Sequence, residues 1–279
     1  MERLVDLHLH THYSDGTEAP EAVLELARGA GLAAAAITDH DNIDALSESE
    51  AAAAARGIEL IPGIEMSSSE DGIEVHILGY LFDPAHAAFR AHLERQQARR
   101  VRRVHETAAR LRSVGVEISA EEVLALAGKG TVGRPHVARV LRKHGYVSST
   151  SEAFERFIGP GNPGFIPGST VAPATIIALI REAGGVPVLA HPVYVKRDDM
   201  IARFASQGLA GLETHHSSHT PEQVRRYERM ADDLGLLKTG GSDFHGVGHK
   251  EGAAVGAARA PYACLEALRR WHASHRAAA

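Results

Sequence analysis

The chain has 279 residues, 44% of them hydrophobic, which is enough to bury one substantial core. Its net charge of −5 is mild, so long duplex nucleic acid is not an expected partner, and a nucleotide would need a local basic patch. Cys264 is the only cysteine, which excludes an internal disulfide framework and zinc motifs built from several thiolates, so any metal must be bound by nitrogen and oxygen.

The amino terminus, MERLVDLHLH, reads as a strand with no apolar run before it, and no stretch of roughly 18 or more apolar residues occurs. We therefore expect neither a signal peptide nor a membrane span, and a cytoplasmic location. The 18 histidines are the one strong anomaly of composition, since histidine is not among the common residues of an average domain. Several of them need a special explanation.

Short apolar runs alternate along the chain with longer helical patterns, which is typical of βα units around a parallel sheet or barrel. The runs predict seven strands, over residues 4–9, 32–38, 58–64, 75–80, 186–190, 211–214 and 236–239. Seven strands indicate an α/β fold in the form of a distorted or incomplete (βα) barrel.

The alternation breaks between about residues 83 and 167, where helical patterns follow one another without a convincing strand. This segment starts with a long charged helix that contains RQQARRVRR and ends in a glycine- and proline-rich loop, GPGNPGFIPG. We predict a barrel domain from residues 1–82 and 168–279, with residues 83–167 as a helical insertion that covers the substrate pocket.

Histidines and a carboxylate stand where the first predicted strand ends. His8 and His10 are two residues apart, so their side chains share one face of the strand and can hold one ion together. Asp15 follows in a turn, from which its carboxylate can reach the same mouth. Taken alone, the two histidines read equally well as satisfied polar residues of a sheet face, and Asp15 as a turn aspartate.

The next three strands carry similar residues. His40, after the second strand, is a candidate ligand, and Asp39 is a candidate to orient an imidazole. Asp41 or Asn42 reads as a cap of the following helix. Glu65 directly follows an apolar run, where a carboxylate is costly to bury unless it is paired or bound to metal. His76 lies among apolar residues of the fourth strand and alone would be an ordinary hydrogen-bonded core residue.

The last three strands complete the pattern. His191 ends the fifth strand, and Asp243 and His245, after the seventh, repeat the two-residue spacing between flanking glycines that allow close backbone approach. Glu213 and His215, at the end of the sixth, are weaker candidates for a supporting or substrate-facing role, and a helix-entry role for residues 214–220 fits this segment equally well. Because the carboxyl ends of neighbouring parallel strands point into one mouth, we expect these side chains to form one site.

Nine nitrogen and oxygen ligands are more than one ion needs, so the sequence predicts two or three divalent metal ions. The predicted ligands are His8, His10, Asp15, His40, Glu65, His76, His191, Asp243 and His245. Mixed imidazole and carboxylate ligands suit manganese, zinc or iron(II) better than magnesium. Manganese is favoured, although ligand types alone do not fix the metal.

These motifs resemble those of the PHP (polymerase and histidinol phosphatase) superfamily of metal-dependent phosphoesterases. The motifs DLHLHTHYSDGT, ITDHDN, the glutamate of GIEM, VHILGY, LAHP and GSDFH occur in the family's order over nearly the whole chain. The resemblance implies a distorted seven-stranded barrel with three metal ions. The implied ligand sets are His8, His10, Glu65 and Asp243 for one ion, Glu65, His76 and His191 for a second, and Asp15, His40 and His245 for the third.

Within the superfamily, the helical insertion and the chain length resemble a stand-alone group that removes the 3′-phosphate from nucleoside 3′,5′-bisphosphates, with relatives that degrade short RNA. The resemblance therefore implies a small phosphorylated nucleotide as substrate. A second phosphate would need cations, and the candidates are Arg134, at a helix start, and Arg99 and Arg102, on the charged helix. The last two also fit a solvated helix surface.

The expected chemistry is hydrolysis by a hydroxide that bridges the ions, with Glu65 as a bridging ligand and Asp243 assisting proton transfer. Three alternatives stay open: a monophosphatase of the histidinol-phosphate kind, an exonuclease for short RNA, and a metal-stabilised accessory module without turnover. The first does not require arginines in the insertion. The last predicts bound metal without hydrolysis.

Overall fold

All seven strands expected from the sequence form in the computed structural model, which describes residues 3–247 and 253–276. They are β1 (Leu4–Leu9), β2 (Ala34–Ile37), β3 (Glu59–Glu70), β4 (Ile73–Tyr80), β5 (Val186–Leu189), β6 (Gly211–His216) and β7 (Leu237–Gly241). An eighth strand, β8 (Ala260–Pro261), is missing from the sequence prediction because two residues are too few to show a period.

Helices fill most of the connections between the strands. In the barrel they are α1 (Pro20–Gly29), α2 (Ala45–Arg56), α7 (Pro173–Glu182), α8 (Asp198–Ser206), α9 (Pro221–Leu234) and α10 (Tyr262–Arg276). Between β4 and α7 lie α3 (Ala87–Arg112), α4 (Ala120–Ala127), α5 (Arg134–Lys143) and α6 (Thr150–Ala153), the last continued by a π-helical turn, Phe154–Ile158. Prolines begin α1 and α7, and Gly57, in the left-handed conformation, ends α2.

The strands form one sheet in the order β7-β6-β5-β4-β3-β2-β1-β8. The chain after β7 returns to β1, where Asp243 N–H donates to His8 O at 2.9 Å and His10 N–H donates to Phe244 O at 2.9 Å. A Cβ on Gly241 would overlap the backbone of His8, so this approach requires glycine. The sheet is thereby an almost closed, distorted barrel of the predicted class.

One strand departs from the parallel arrangement that the sequence suggested. β4 runs antiparallel to both β3 and β5, whereas β1, β2 and β3 are parallel, as are β5, β6 and β7. β3 and β4 form a long hairpin in which Ser67 is paired with His76. His76 therefore reaches the barrel mouth from the early part of its strand, although neighbouring strands contribute their later parts.

The helices between β4 and α7 have their own buried apolar cluster, which includes Val104, Leu111, Val123 and Leu141. The first turns of α3 belong instead to a cluster that includes β3, β4, α7 and α8, through Phe89 and Leu93. Because α3 is one helix of 26 residues, it joins the two apolar clusters rigidly. No helix of the described ranges is long and apolar enough to cross a membrane.

Phe89 fastens the start of α3 to the barrel. Its ring is fully buried and stacks on Phe82 with centroids 4.9 Å apart. We expect Phe89→Ala to lower the free energy of unfolding by about 3–5 kcal/mol, because it leaves a cavity in a packed core. Urea denaturation measures this change. The control is Val101→Ala, at a 39% exposed position of the same helix, which should stay within about 0.5 kcal/mol of the wild type.

A pH dependence follows from His136, which is 2% exposed at the start of α5 and accepts the Gly133 N–H through Nδ1 at 3.1 Å. Burial lowers the pKa of His136 from its ordinary 6.5 to about 4, although Asp15 opposes the shift. Between these values the unfolded chain binds a proton that the folded chain does not. The contribution of His136 to the free energy of unfolding is therefore fully present above pH 6.5 and is lost as the pH falls toward 4.

His136→Gln keeps a hydrogen-bond acceptor but cannot be protonated. We expect the stability of the wild type relative to this variant to fall by roughly 3 kcal/mol between pH 7 and pH 4, a figure that follows from the size of the pKa shift. Denaturant titrations of both proteins across this range test it. Parallel stability curves would show that His136 does not titrate differently on unfolding.

Candidate metal centre

The first ligand group lies where β1 meets the chain after β7. His8 and His10 are fully buried, and their Nε2 atoms are 3.1 Å apart. Each Nε2 is 3.2 Å from Glu65 Oε2, and they lie 3.4 and 3.1 Å from Asp243 Oδ1. Four ligand atoms from the end of β1, the middle of β3 and the segment after β7 therefore surround one point.

The second group is centred on Asp15, in the turn after β1. His245 Nε2 lies 3.2 Å from Asp15 Oδ1, and His40 Nε2 lies 3.6 Å from Asp15 Oδ2. His10 joins this group as well, because its Nδ1 is 4.0 Å from Asp15 Oδ1 and its ring stacks on His245 at 4.1 Å. The three residues predicted for one ion are thus together, with His10 beside them.

The third group surrounds the other oxygen of Glu65. His76 Nδ1 is 2.7 Å and His191 Nε2 is 2.8 Å from Glu65 Oε1, while His40 Nδ1 is 3.0 Å from Oε2. The structure therefore brings all nine sequence-predicted ligands into one connected cluster around a single fully buried glutamate. Below, these nine residues are called the ligand cluster.

The ligand cluster fits divalent ions better than it fits a set of hydrogen bonds. The ligand atoms of each of the sets His8, His10, Glu65 and Asp243; His10, Asp15, His40 and His245; and His40, Glu65 and His76 lie within 4.8 Å of one another. Within the described residues, the buried atoms Asp15 Oδ1 and His40 Nδ1 lie 3.2 Å from His245 Nε2 and 3.0 Å from Glu65 Oε2, but neither contact has the geometry of a hydrogen bond. Buried polar atoms of this kind need a partner, which an ion would supply.

The carboxylates of the cluster stay ionised although they are buried. Burial alone would raise the pKa of Glu65, but His40, His76 and His8 hold it well below its usual range. Asp15 and Asp243 behave in the same way, because neighbouring imidazoles outweigh burial and keep the pKa of each well below its usual range. The three carboxylates and the surrounding imidazoles form a mixed set of oxygen and nitrogen ligands, which suits manganese, zinc or iron.

Backbone strain accompanies the ligands. Asp243 has φ of 56° and His191 has φ of 27°, a left-handed region that costs a residue with a side chain on the order of 1–3 kcal/mol. Asp6 supports the strained segment, since its buried carboxylate accepts from Ser242 N at 2.9 Å, Ser242 Oγ at 2.6 Å and Gly256 N at 2.8 Å. The residue just before Asp243 is therefore fixed to β1.

Other carboxylates hold the ligands or the loops that carry them. Glu213 Oε1 is 3.0 Å from His8 Nδ1, which leaves His8 Nε2 to face the cluster, and Glu213 Oε2 accepts from His191 N at 2.7 Å. Asp39 accepts from Thr11 N–H and from the hydroxyls of Thr11 and Ser14. Asp39 therefore holds the loop after β1. The sequence had suggested that it orients an imidazole, but its hydrogen bonds go to Thr11 and Ser14 instead.

His216 is in the place where the sequence suggested His215. A bulge between Glu213 and His215 shifts the register of β6 against β7 by one residue, so His216 shares a face with Glu213. His216 Nε2 lies 3.4 Å from Asp243 Oδ2, while His215 faces Glu228 at 3.6 Å. Strict alternation of side chains predicts the wrong histidine, and the run His215-His216 gives no signal of the bulge.

The arginines of the insertion meet the barrel beside His76. Arg134 pairs with Glu74, whose carboxylate is 3.5 Å from His76 Nε2. Arg100 donates to Asp41 Oδ2 at 2.8 Å and to Ser67 Oγ at 2.8 Å, so the expected helix-capping role of Asp41 is wrong. A pocket lined by Arg99, Arg100, Arg103, Asp41, Ser67, Gln96, Gly168 and Ser169 lies at this junction, and we call it the arginine pocket.

Among the predicted phosphate-binding arginines, Arg99 lines the arginine pocket and donates to Thr170 Oγ1 at 2.7 Å. Arg102 is on the exposed side of α3. Arg100 and Arg103, which the sequence reasoning did not select, face inward because they continue the buried face of α3 that includes Gln96. The helical phase set by Phe89, Leu93 and Gln96 is the signal that could have found them.

A distorted barrel whose mouth gathers three carboxylates and six imidazoles is characteristic of a metal-dependent hydrolase of phosphate esters, and the comparisons with known proteins agree. The PHP domain family matches residues 6–153. The chain belongs to this family. It is a metal-dependent phosphoesterase.

Two relatives and one solved structure show the breadth of this likeness. The chain is 35% identical to a 5′-3′ exoribonuclease of Haemophilus influenzae, over 88% of this chain and 91% of the relative. It is 32% identical to a 3′,5′-nucleoside bisphosphate phosphatase of Chromobacterium violaceum, over 88% of both. A crystal structure from Bifidobacterium adolescentis, assigned to the metal-dependent phosphoesterases, is 32% identical, with a TM-score of 0.87 over 95% of this chain and 94% of that one.

We expect Glu65→Gln to reduce metal binding more than a substitution of an exposed residue does, because both oxygens of Glu65 face the ligand cluster. Mn²⁺ at 100 times its Kd should stabilise the wild type by about 2.7 kcal/mol, and the variant by much less. Thermal denaturation with and without Mn²⁺, together with elemental analysis of the bound metal, measures both effects. Asp199→Asn, at an exposed position paired with Arg197, is the control. Equal metal content in the two variants would contradict the ligand assignment.

Proposed function

We propose that this phosphoesterase removes the 3′-phosphate from nucleoside 3′,5′-bisphosphates. The observation that carries the proposal is the group of arginines at the arginine pocket beside the ligand cluster, because a substrate with two phosphates needs one cationic site besides the metal site. The pocket itself has a volume of only about 10 Å³, so the half-buried side chains of Arg99 and Arg103 have to move aside to admit a phosphate. Relatives with similar identity act, by their names, on bisphosphates and on RNA. Both substrate types present a phosphorylated nucleotide, in agreement with the pocket.

The charges of the arginine pocket favour a bound anion. Arg103 is half-buried, and desolvation together with repulsion from Arg100 and Arg134 lowers its pKa to about 9, although Glu74 and Asp41 oppose this. Arg100 and Arg134 have carboxylate partners within 4.0 Å among the described residues, but Arg103 has none. A phosphate is the ligand that a guanidinium with free donors recognises by two parallel hydrogen bonds.

The nine residues of the ligand cluster would hold the metal ions of the proposed enzyme. Bound there, divalent ions lower the pKa of water and neutralise phosphoryl oxygens as charge develops. Glu65 is fully buried, whereas the side chain of Asp243 is 21% exposed and meets the mouth. Asp243 is therefore the carboxylate that can accept a proton from the attacking water, and His216, 3.4 Å behind it, orients its other oxygen.

The insertion has a positioning role in this proposal. Arg100 is bound to Asp41, next to His40, and Arg134 is bound to Glu74, two residues before His76. Both ion pairs tie helices of the insertion to segments that carry ligands. The insertion would thus cover the substrate pocket and set the distance between the 5′-phosphate in the arginine pocket and the 3′-phosphate at the ligand cluster.

The most informative variant is Arg103→Gln. Arg134→Ala would leave Glu74 without its partner, whereas Arg103 has no carboxylate within 4.0 Å to be left unpaired in the described chain. We expect the KM for adenosine 3′,5′-bisphosphate to rise at least tenfold, because a charged hydrogen bond to phosphate contributes about 1.5–3 kcal/mol. The kcat/KM for p-nitrophenyl phosphate, which has no second phosphate, should change by less than about threefold.

Steady-state kinetics with added Mn²⁺ measure both substrates, and Arg95→Gln on the exposed side of the same helix is the matched control. An unchanged KM for the bisphosphate would favour a monophosphatase of the histidinol-phosphate kind. Bound metal with no hydrolysis of any phosphate ester would favour the accessory module.

A further inference from the structure

The insertion also meets the loop after β1, which carries the ligand Asp15. A cleft of about 400 Å³ occupies part of this boundary, and its lining residues include Gly16 and Thr17 of the loop and Lys129 and Arg139 of the insertion. None of these residues lines the arginine pocket. Because the cleft separates the two segments over part of their length, the few direct contacts between them decide how the insertion acts on the loop.

The barrel holds this loop on both sides of Asp15. Asp39 accepts hydrogen bonds from two hydroxyls that precede it, and Thr17 N–H, after it, donates to the His245 carbonyl at 2.9 Å. Within the described residues, the main chain of Asp15 makes no hydrogen bond to the barrel. The barrel therefore leaves the peptide group between Asp15 and Gly16 without a hydrogen bond of its own.

Arg139, on α5, supplies the hydrogen bond that the barrel does not. Its guanidinium donates to the Asp15 carbonyl, and this is its one hydrogen bond in the described part of the chain. The side chain is half-buried, and no carboxylate of the described ranges lies within 4.0 Å of it to compete. A charged donor makes a hydrogen bond roughly twice as strong as a neutral one, so the carbonyl is held firmly.

The bond from Arg139 controls the direction of the Asp15 side chain. A peptide group is planar, so a fixed carbonyl also fixes the adjoining backbone torsion of Asp15. The residue that follows is a glycine, which restricts this torsion least. The carboxylate needs such control, since its oxygens lie 3.2 Å from His245 Nε2 and 3.6 Å from His40 Nε2. Below, the ligand group His10, Asp15, His40 and His245 is called the Asp15 site.

Two further contacts dock the insertion on the same loop. Thr131 N–H, between α4 and α5, donates to the Tyr13 carbonyl at 2.9 Å. A Cβ on Gly130 would overlap the carbonyl oxygen of His12, so the connection between α4 and α5 approaches the loop as closely as only glycine permits. The docking therefore takes place within three residues of Asp15.

Arg139 belongs to the insertion and follows its position. Its neighbours on α5, Val137, Val140 and Leu141, are buried in the apolar cluster of the insertion. A displacement of this packed unit would withdraw the guanidinium from Asp15, while Asp39 would keep the preceding part of the loop on the barrel. The aim of the Asp15 carboxylate thus depends on whether the insertion is docked.

We infer that Arg139 is a positioning residue for the Asp15 site, and that it couples the occupancy of this site by a metal ion to the docking of α4 and α5 on the barrel. Such coupling is reciprocal, so an ion at the Asp15 site stabilises the docking by the same free energy with which the docking stabilises the ion. The inference depends on the ligand assignment and not on the identity of the substrate.

Arg139→Met removes the donor and keeps a side chain of similar length. The purified protein is dialysed against a series of Mn²⁺ concentrations, and elemental analysis counts the bound ions. One ion should require an at least tenfold higher Mn²⁺ concentration than in the wild type, whereas the others change by less than about twofold, because loss of a group behind a metal ligand costs about 10–100-fold in affinity. Arg139→Lys, which retains a charged donor, should recover most of the loss. The control is Arg142→Met, at an exposed position of the same helix.

Asp15→Asn identifies the ion that is weakened. It should remove the same ion, and Arg139→Met should cause no further loss in the Asp15→Asn background, because the two residues act on one site. Additive losses would overturn the inference, since Arg139 would then act on metal binding without Asp15. Metal content equal to that of the wild type in Arg139→Met would overturn it as well.

Hydrogen exchange tests the reciprocal effect without turnover. Mn²⁺ should slow the exchange of the amides of residues 128–133 about fivefold in the wild type and much less in Arg139→Met. An equal response to Mn²⁺ in the two proteins would overturn the coupling, because Arg139 would then only stabilise the insertion. Neither measurement uses a phosphate ester, so the proposed phosphatase can fail while the coupling is confirmed.

Discussion

The structure depends on one buried carboxylate, that of Glu65, which five imidazoles surround at 2.7–3.2 Å. An isolated charge at this depth would cost far more than a domain's net stability, so the surrounding groups must compensate it. The imidazoles come from the turns and strands of β1, β2, β4 and β5. Any change in how these strands meet therefore changes the environment of Glu65.

The closure of the barrel and the strain of its loops serve the same cluster. The left-handed backbone of Asp243 lies between two fixed residues, because Ser242 before it is held by Asp6 and the Phe244 carbonyl after it accepts from His10 N–H. The strained backbone conformations occur at predicted ligands, and the packed strands of the sheet supply the stability that offsets their free-energy cost. The long α3 then connects this rigid base to the arginines that, in the proposed function, bind the second phosphate of the substrate.

Charged groups are distributed unevenly around the mouth of the barrel, and each region suits a different kind of ligand. Carboxylates and imidazoles form the floor, which suits metal ions. Guanidinium groups of the insertion form one side wall, and Lys129 and Arg139 line a cleft near Asp15. This arrangement concentrates positive charge where phosphates would bind, although the whole chain has a net charge of −5.

The sequence by itself determined seven of the eight described strands, the class of fold and the nine candidate ligands that cluster, because apolar runs and the polar residues beside them are local features of the chain. It did not determine which side chains face the site in two places: where a bulge breaks the alternation of side chains along a strand, and where the rotation of a helix about its axis decides which residues point inward. His216 replaces His215 because a bulge in β6 adds one residue, and Arg100 and Arg103 face inward because Phe89 fixes the rotation of α3. Asp6 and Asp41 find their partners, Ser242 and Arg100, far along the chain. Only the tertiary structure decides such pairs, since each depends on how distant segments pack against one another and no short stretch of sequence records that packing.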